Sequence, residues 1–311
     1  MNSPTTSKPV MMKRLSIVIV TYNSEKDIYD CLKSIWNNCD IPKDQLEICI
    51  VDNSLESDSM FRKLEYLYGQ DIMLIHNSHN GGYGQGNNVG IRKASSPIIL
   101  IMNPDVRIIE PIFDKVLRAF EEDKNLGMYG MKQMLTPTLA STNSFACTTM
   151  MSGYISTPLI AICTRFEKYI QRYMYIQGSC FFVRKDVIKS AGLFDEENFI
   201  YGEEHDLHFR IREKTRSKIV YNHSLHYLHL TKDRIPDIKY QKKRLQSSLF
   251  LNEKKGYKKE KTIRNFLQNT RLLIIRERIR LLFNRGNKDL YRLNTEFYKY
   301  QKQLLRNEEK K

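Results

Sequence analysis

The chain has 311 residues, of which 41% are hydrophobic and 11% aromatic, a composition that predicts a folded protein with a sizeable core and excludes a disordered chain. Its net charge of +15 is unevenly placed, because residues 236–311 contain 22 Lys and Arg against 8 Asp and Glu and so carry +14. A nearly neutral body with a strongly basic tail predicts a polyanionic partner, either nucleic acid or an anionic membrane face, and the lack of any apolar run of about 18 residues argues against a membrane-spanning helix.

The first half of the chain alternates between short apolar runs and segments of helical spacing. Residues 1–13 lack the apolar core of a signal peptide and are predicted to be a disordered leader. Apolar, β-branched runs then predict strands over residues 15–21, 46–52, 72–77 and 97–103, and a helix follows each of the first three. This rhythm predicts an α/β fold in which crossover helices connect the strands of a parallel sheet.

Polar residues stand at the ends of three of these strands. They are Thr21-Tyr22-Asn23, Asp52-Asn53-Ser54 and Asn103-Pro104-Asp105. A single Asp after a strand is usually a turn former or a helix cap. Ligands of open parallel sheets, however, bind outside the carboxyl ends of the strands. Polar ends on three strands of one sheet therefore favour a binding site there.

A glycine-rich stretch, NGGYGQGNNVG, occupies residues 80–90. It is not a Walker loop, because no Lys-Ser or Lys-Thr follows it, and it does not satisfy GxGxxG. It also follows the third strand and not the first, which disfavours a dinucleotide fold. Its glycines are expected to let the backbone pack closely against a ligand or the sheet.

The second half of the chain opens with residues 133–164, which carry no charge and are rich in Ser, Thr, Pro and Gly, and which are predicted to form a loop or lid. A strand over 180–183 and a helix from Lys185 follow. The next helix has an acidic start, which complements the helix dipole, and Asp206 and Arg210 within it are expected to form a buried ion pair. A further strand ends near His229.

The tail after Pro236 is helical in pattern, basic and free of proline. Its segment TIRNFLQNTRLLIIRERIRLLF places apolar residues on one side and arginines on much of the rest. A basic amphipathic helix of this kind is typical of proteins that lie on anionic lipid surfaces. A solvated helix packed on the body, or a dimer contact, would show the same pattern.

Six motifs in order carry a resemblance to a known family. They are LSIVIVTYNSEKDIYDCLKSI, ICIVDNSLESDS, NGGYGQGNNVGI, LIMNPDV, GSCFFVRKDVIKSAGLFDE and FIYGEEHDLHFRI. Over about residues 13 to 230 the chain resembles family 2 glycosyltransferases of the rhamnosyltransferase-like bacterial branch that builds surface polysaccharides such as capsule or O-antigen. The resemblance implies a GT-A fold, with a Rossmann-like, mostly parallel sheet flanked by helices. It places a glycosyltransferase domain at residues 14–235, which leaves 236–311 as a basic helical extension.

The same resemblance implies a UDP- or dTDP-sugar as donor and a divalent cation, Mg²⁺ or Mn²⁺, on its diphosphate. Carried over by position, the nucleoside pocket would be lined by Thr21, Tyr22, Asn23 and Glu25. Asp52 would contact the base or the ribose, and Asn88 would face the nucleotide.

The family's DxD motif falls on Asn103-Pro104-Asp105, where this chain departs by having Asn as the first residue. Asp105 would bind the metal and Asn103 the ribose. One carboxylate can suffice, because phosphates and waters fill the remaining positions around Mg²⁺. His229 matches a histidine that contacts the metal or the diphosphate in many members, although His223 and His226 lie close by and weaken that match.

A general base is required to take a proton from the acceptor hydroxyl, and the resemblance assigns this role to Glu204. The family usually has Asp there, so Glu204 is a second departure, and an ordinary acidic helix start is the alternative. Two adjacent carboxylates repel, which can raise the pKa of one of them. Asp195, Glu203 and Asp206 are expected on the acceptor side.

These observations predict an inverting, metal-dependent glycosyltransferase that moves a rhamnose-like deoxyhexose or a hexose to a lipid-linked or growing surface glycan. It would be cytoplasmic and peripheral at the inner face of the cell membrane, held there by its basic C-terminal helices, with a homodimer left open. The alternatives are a catalytically inactive glycan-binding relative and a nucleic-acid-binding protein that uses the basic tail. No nucleic-acid partner is expected, because no RNA- or DNA-reading motif is present.

Overall fold

The computed structural model describes residues 13–55, 58–230 and 237–310. Nearly all of the predicted leader and the predicted domain boundary at residues 235 and 236 lie outside the described residues. The strands are Leu15–Thr21 (β1), Leu46–Asp52 (β2), Met73–His76 (β3), Ile98–Met102 (β4), Val106–Ile108 (β5), Leu126–Met134 (β6), Phe145–Cys147 (β7), Met174–Ile176 (β8), Cys180–Arg184 (β9) and Lys218–His229 (β10). The α-helices are Glu25–Asn37 (α1), Asp58–Tyr68 (α2), Gly82–Lys93 (α3), Phe113–Glu122 (α4), Gly153–Arg165 (α5), Lys185–Ala191 (α6), Glu203–Arg210 (α7), Ile238–Lys254 (α8), Lys259–Leu282 (α9) and Lys288–Glu308 (α10).

Eight of these strands form one sheet in the order β3-β2-β1-β4-β9-β6-β10-β5. The neighbours from β3 to β4 pair in parallel, as do β6 and β10. The strand β9 is antiparallel to both of its neighbours, and β5 is antiparallel to β10. The sheet is therefore mostly parallel, which confirms the α/β fold predicted from the alternation of strands and helices.

Helices cover both faces of this sheet. Ile17 and Ile19 of β1 pack into a core cluster shared with α1, α2 and α4, whereas Val18 between them packs into a second cluster shared with α3, α6 and α7. Because side chains alternate along a strand, a strand buried on both faces must be apolar at nearly every position. This requirement explains the continuous apolar runs in the sequence.

The glycine-rich helix α3 lies unusually close to the sheet. A Cβ atom added at Gly90 would lie 2.4 Å from Cγ1 of Val18, and one added at Gly86 would lie 2.7 Å from Cγ1 of Val20. No larger residue fits at either position without displacing β1. The predicted role of these glycines in close packing is confirmed.

The uncharged segment 133–164 is not the predicted loop throughout, because it contains β7 and most of the helix α5. That helix is hydrophobic on nearly all sides and has Pro158 inside it. An apolar helix without a polar face shows no amphipathic period, and an internal proline usually indicates a break. The two features together hide the helix from sequence reasoning.

The basic C-terminal extension is helical, as predicted, and it packs on the body. Ser152 Oγ at the start of α5 donates to Oε1 of Gln268 in α9 at 2.7 Å. Ser247 Oγ in α8 donates to the carbonyl oxygen of Ile200 at 2.8 Å. Among the described helices, none is both long and apolar enough to cross a bilayer.

Candidate active site

The carboxyl ends of β1 and β2 meet at a buried carboxylate. Thr21 and Asp52 are opposite each other in the parallel register, and the Thr21 hydroxyl donates to Oδ1 of Asp52 at 2.7 Å. Ser54 Oγ donates to the same oxygen at 2.8 Å and accepts from the backbone N–H of Asn23, also at 2.8 Å. Asp52 is fully buried, yet its Oδ2 has no hydrogen-bond partner among the described residues. Buried polar atoms are nearly always bonded, so this oxygen is suited to accept from a ligand.

An open cleft of about 500 Å³ lies beside this carboxylate and is lined by Asn23, Ser24, Glu25, Lys26, Asp52, Ser54, Ser59 and Met60. Asn23 has a left-handed backbone with φ of 50°, a conformation that Asn adopts more readily than most residues. Tyr22 next to it is 53% exposed, so its ring is available to a planar ligand. Glu25 begins α1 and accepts from the Tyr29 hydroxyl at 3.0 Å.

Asn88, in contrast, bonds within the protein. Its amide nitrogen donates to the carbonyl oxygen of Phe194 at 3.0 Å and to Oε1 of Glu196 at 2.8 Å. Its amide oxygen accepts from the N–H of Phe194 at 3.0 Å. The side chain is buried, so in this structure it joins α3 to the loop that precedes α7.

The segment after β4 contacts the end of β10. Oδ1 of Asp105 lies 3.3 Å from Nε2 of His229, and both side chains are mostly buried. His223 and His226 of the same strand pair instead with Glu167 and Glu110, each at 2.9 Å. Each histidine of β10 thus faces a different carboxylate, and His229 is the one that faces Asp105.

These two side chains suit a divalent cation that a diphosphate would share. Nδ1 of His229 is buried and has no hydrogen-bond partner among the described residues. No group of three or more His, Cys, Asp or Glu that could hold a metal occurs in the described part of the chain. A cation held by Asp105 and His229 would therefore need phosphate oxygens and waters as further ligands, as Mg²⁺ usually does.

Asn103 follows β4 and connects this corner to the rest of the sheet. Its backbone N–H donates to the carbonyl oxygen of Ser179 at 2.9 Å. Gly178, the residue before Ser179, accepts from the Tyr83 hydroxyl at 2.5 Å. A methyl group added at Gly178 would lie 3.7 Å from Cδ of Glu204. The turn at residues 178 and 179 therefore lies between the predicted nucleotide side and the acidic pair.

The acidic pair begins helix α7. Tyr201 and Gly202 before it both have left-handed backbones, with φ of 74° and 88°, which turns the chain sharply into the helix. Glu203 is buried, and Oε1 of its carboxyl has no partner among the described residues. Burial first, and the charge of Glu204 second, raise the pKa of Glu203 to about 8. Burial also raises the pKa of Glu204.

At neutral pH the pair therefore retains a proton, and the two carboxyls titrate together. Glu204 is the more exposed of the two. An arrangement in which Glu203 holds the proton leaves Glu204 ionised and able to accept another.

Two further acidic residues contact the C-terminal extension. Asp195 lies 2.7 Å from Nζ of Lys254. Asp206 lies 2.7 Å from Nε of Arg210, which confirms the predicted ion pair, and its other oxygen lies 3.2 Å from Nζ of Lys255. Both oxygens of Asp206 are thus engaged, whereas the partners of the Asp195 carboxylate in the described part of the chain are an exposed lysine and the backbone of its own loop.

Sequence reasoning gave no role to several residues that shape this site. His208 donates from Nδ1 to the carbonyl oxygen of Glu204 at 2.7 Å and accepts at Nε2 from the N–H of Ile176 at 3.0 Å. Tyr83 donates to the turn at Gly178, and Ser54 donates to the Asp52 carboxylate. Ser54 belongs to the polar residues that follow β2, so its position in the sequence already indicated a role in the site. No feature of the neighbouring sequence indicates a role for His208 or Tyr83.

Comparison with known proteins relates this chain to one sequence family. The sequence model described as "Glycosyl transferase family 2" matches residues 16–189. The chain is 26% identical over 215 residues to the low-salt glycan biosynthesis hexosyltransferase Agl10 of Haloferax volcanii, an alignment that covers 66% of this chain and 63% of Agl10. The chain therefore spans less than two thirds of the length of that relative.

Solved structures share the fold at low identity. A mannosyltransferase of Pyrobaculum calidifontis in complex with GDP-Man and Mn²⁺ has a TM-score of 0.56 and 16% identity, over 81% of this chain and 67% of that one. Residues 1–349 of Staphylococcus aureus TarS in complex with UDP-GlcNAc have a TM-score of 0.51 and 16% identity, over 82% and 71%. These similarities confirm a GT-A-like fold.

Proposed function

We propose that this chain, which belongs to glycosyl transferase family 2, is a glycosyltransferase that moves a hexose or a rhamnose-like deoxyhexose, with inversion, from a UDP- or dTDP-sugar to a lipid-linked or growing surface glycan. The observation that carries this proposal is the buried Oδ2 of Asp52 at the carboxyl edge of the sheet beside an open cleft, for which the described residues supply no hydrogen-bond partner. A nucleoside offers ribose hydroxyls and base N–H groups that would satisfy it.

In this proposal the nucleoside lies across the ends of β1 and β2. Asp52 accepts from it, Thr21 and Ser54 hold the Asp52 carboxylate in place, and the exposed ring of Tyr22 stacks on the base. Asn23 and Glu25 line the cleft. Asn103, at the end of β4, faces the ribose, and Asn88 holds the neighbouring loop.

A divalent cation would be held by Asp105 and His229 on the diphosphate, where it would offset the negative charge of the leaving group. A mannosyltransferase of similar fold is known in complex with GDP-Man and Mn²⁺, which supports a divalent cation as cofactor. The chain supplies one carboxylate and one imidazole, so binding of the cation should depend strongly on the nucleotide diphosphate.

Glu204 is proposed as the general base. It accepts the proton of the acceptor hydroxyl while that oxygen attacks the anomeric carbon, and the bond from that carbon to the diphosphate oxygen breaks as the nucleoside diphosphate leaves. Glu203 keeps its own proton and stays neutral, so that two neighbouring buried carboxyls are not ionised at the same time.

The acceptor is proposed to be presented at the cytoplasmic face of a membrane, which would place the protein there peripherally through its basic C-terminal helices. The charge of +14 in residues 236–311 supports this location. Of the three acids predicted on the acceptor side, Asp195 is the one that pairs with an exposed lysine, so it is proposed to contact the acceptor.

Calorimetric titration of UDP, dTDP and GDP, each with and without Mn²⁺, tests the donor site. Asp52→Asn keeps an oxygen for Thr21 and Ser54 but replaces the other oxygen with a donor. It should weaken the preferred nucleotide about tenfold to a hundredfold, since a hydrogen bond to a charged group is lost. Asp105→Asn should remove only the gain in affinity that Mn²⁺ gives.

Asp71→Asn, at an exposed position in the turn before β3, is the matched control and should bind like wild type. If no nucleotide binds, or if Asp52→Asn binds as tightly as Asp71→Asn, the proposed donor site is wrong. If Mn²⁺ has no effect, the cation assignment alone is wrong.

A further inference from the structure

Helix α9 exposes an apolar stripe over its second half. Ile275, Ile279 and Leu282 are 44%, 50% and 77% exposed, and their spacing of i, i+4 and i+7 puts them on one face. Thr270 and Glu277, by contrast, are buried. A helix that packs on a protein in water normally shows the reverse pattern, so this apolar face is suited to an apolar partner.

Helix α5 also presents an apolar outer face. Tyr154, Ile155, Ile162 and Phe166 at its end are all exposed, between 44% and 68%. The opposite side of the helix packs into a small core cluster through Cys163. No charged residue occurs in α5 before its last residue, so this face carries no charge that would oppose transfer to a hydrocarbon environment.

The two apolar faces adjoin. A Cβ atom added at Gly153 would lie 2.4 Å from the carbonyl oxygen of Asn265 and 2.2 Å from the backbone nitrogen of Asn269, so α5 crosses α9 in backbone contact there. Asn265, Leu272 and Ile279 recur every seven residues, which is two helical turns. The face that α5 covers at Asn265 therefore continues along α9 as the exposed apolar stripe.

We call this the α5–α9 surface, and its members are Tyr154, Ile155, Ile162, Phe166, Ile275, Ile279, Leu282 and Phe283. Arginines border its α9 part on both sides: Arg271 and Arg278 on one, Arg276 and Arg280 on the other. Arg276 and Arg280 share one buried carboxylate, Glu277, at 3.0 and 3.6 Å, which leaves the border net positive.

We propose that the α5–α9 surface docks on an anionic lipid bilayer, with α5 and the second half of α9 lying in the plane of the headgroup region. An apolar stripe between arginines is the pattern of helices that bind such an interface. Helix α5 has 13 residues, too few to span a bilayer, so it lies on the membrane and does not cross it.

A second copy of this chain fits the surface less well than lipid does. A two-fold dimer brings the same surface patch of both copies together, so arginine borders would face arginine borders. Like charges set against each other disfavour association, whereas lipid phosphates complement them.

This docking would place the predicted acceptor side of the site toward the membrane. The segment before α5 is bonded to helix α7, since Thr148 Oγ1 lies 2.7 Å from Nε2 of His205. Helix α8 is bonded to the turn before α7 through Ser247 and Ile200. The membrane contact of the α5–α9 surface is inferred from exposed side chains and helix contacts alone. Its relation to the acceptor rests on the proposed function.

Co-sedimentation of the full chain with vesicles tests this proposal. Vesicles of pure phosphatidylcholine are compared with vesicles that contain equal parts of phosphatidylglycerol and phosphatidylcholine. Wild type should bind the second kind and release them at high salt. Ile162→Asp and Ile279→Asp should each weaken binding about tenfold or more, because an apolar contact is lost. Arg278→Glu should weaken it at least about fivefold, which corresponds to about 1 kcal/mol per basic residue.

Leu67→Asp and Arg62→Glu on the exposed side of α2 are the matched controls and should bind vesicles like wild type. Nucleotide titration of every variant shows whether the fold and the donor site remain, so a failed donor site is distinguished from a failed membrane surface. Equal binding by wild type, Ile162→Asp and Ile279→Asp would overturn the proposal. A wild-type dimer in sedimentation that Ile279→Asp dissociates, without vesicle binding, would assign the surface to a second copy instead.

Discussion

The Glu203 carboxyl holds its proton more tightly in the folded protein than in the unfolded chain, because burial and the neighbouring Glu204 raise its pKa from 4.5 to about 8. Such a group stabilises the fold below its unfolded pKa, and this stability is lost as pH rises toward the folded pKa. The free energy of unfolding should therefore fall between pH 4.5 and about 8. Glu203→Gln should reduce that fall by up to about 5 kcal/mol, as measured by urea denaturation across this range. Glu213→Gln, at an exposed site, should leave it unchanged, and equal slopes in both variants would contradict the prediction.

Glu204 is expected to act in the chemical step and not in donor binding. Glu204→Gln keeps the size of the side chain but removes the base, so the rate of sugar transfer should fall about a hundredfold or more. Nucleotide affinity should stay at the wild-type value, because the cleft at Asp52 is formed by other elements. The measurement is transfer from the donor that titration identifies. A Glu204→Gln variant that transfers sugar at the wild-type rate would require a different base.

His208 is expected to be a positioning residue for Glu204. Its Nδ1–H donates to the Glu204 carbonyl and its Nε2 accepts from Ile176, which fixes one neutral tautomer, and burial lowers its pKa to about 4. His208→Leu removes both bonds and should lower kcat about tenfold with little change in KM for the donor. His208→Gln can make one bond of each kind and should restore part of kcat. Loss of stability in both variants without loss of kcat would assign His208 to the fold alone.

The contacts of some site residues could be predicted from the sequence, and those of others could not. Thr21 and Asp52 were predictable, because polar residues at the carboxyl ends of adjacent parallel strands must meet. The long-range partners of Tyr83 and His208 were not, because the Gly178 carbonyl and the Ile176 N–H come near these side chains only in the assembled fold. A side chain that bonds to the backbone of a distant segment leaves no local pattern.

Among the elements, the buried strands were the most predictable. The predicted bounds of β1 and β2 agree with the structure at both ends, because a strand covered on both faces requires a continuous apolar run. Helix α5 was missed, since it is apolar on nearly all sides and contains Pro158. Its outer face is exposed, so its sequence obeys neither the pattern of a core helix nor that of a surface helix. That mismatch is what the proposed lipid contact would explain.

The crossing of α5 and α9 depends on the absence of a side chain at Gly153. A Cβ atom there would lie within 2.4 Å of two backbone atoms of α9, so Gly153→Ala must push the helices apart. We expect the substitution to lower the free energy of unfolding by about 2 kcal/mol, measured by urea denaturation. Gly69→Ala serves as a control for the loss of a glycine, because a Cβ there meets nothing within 4 Å, although its backbone at φ +53 makes that change mildly unfavourable. A Gly153→Ala variant as stable as wild type would show that the crossing is looser than described.

Across the whole molecule, the charge distribution predicted a distinct basic segment but not its attachment. The tail carries almost all of the net charge, yet two of its lysines, Lys254 and Lys255, pair with acids of the body. Asp195 and Asp206 were expected on the acceptor side from their position in the chain. Only the assembled structure shows that they also face the extension, since partners some 50 residues apart in sequence share no period or motif.

These two acids should behave differently, because one pair is buried and the other is exposed. Asp206→Asn leaves Lys255 and Arg210 facing each other with side chains only 4% and 17% exposed. Removing one member of a buried ion group in this way should cost about 3 kcal/mol of unfolding free energy. Asp195→Asn removes a contact with Lys254, which is 40% exposed and keeps Glu197 at 2.8 Å, so it should cost less than about 1 kcal/mol. Thermal unfolding of both variants checks the stability, and sugar transfer checks the acceptor role. Loss of sugar transfer by a stable Asp195→Asn variant would assign Asp195 to the acceptor and leave Asp206 to join the extension to the body. An Asp206→Asn variant as stable as wild type would show that helix contacts alone hold the extension.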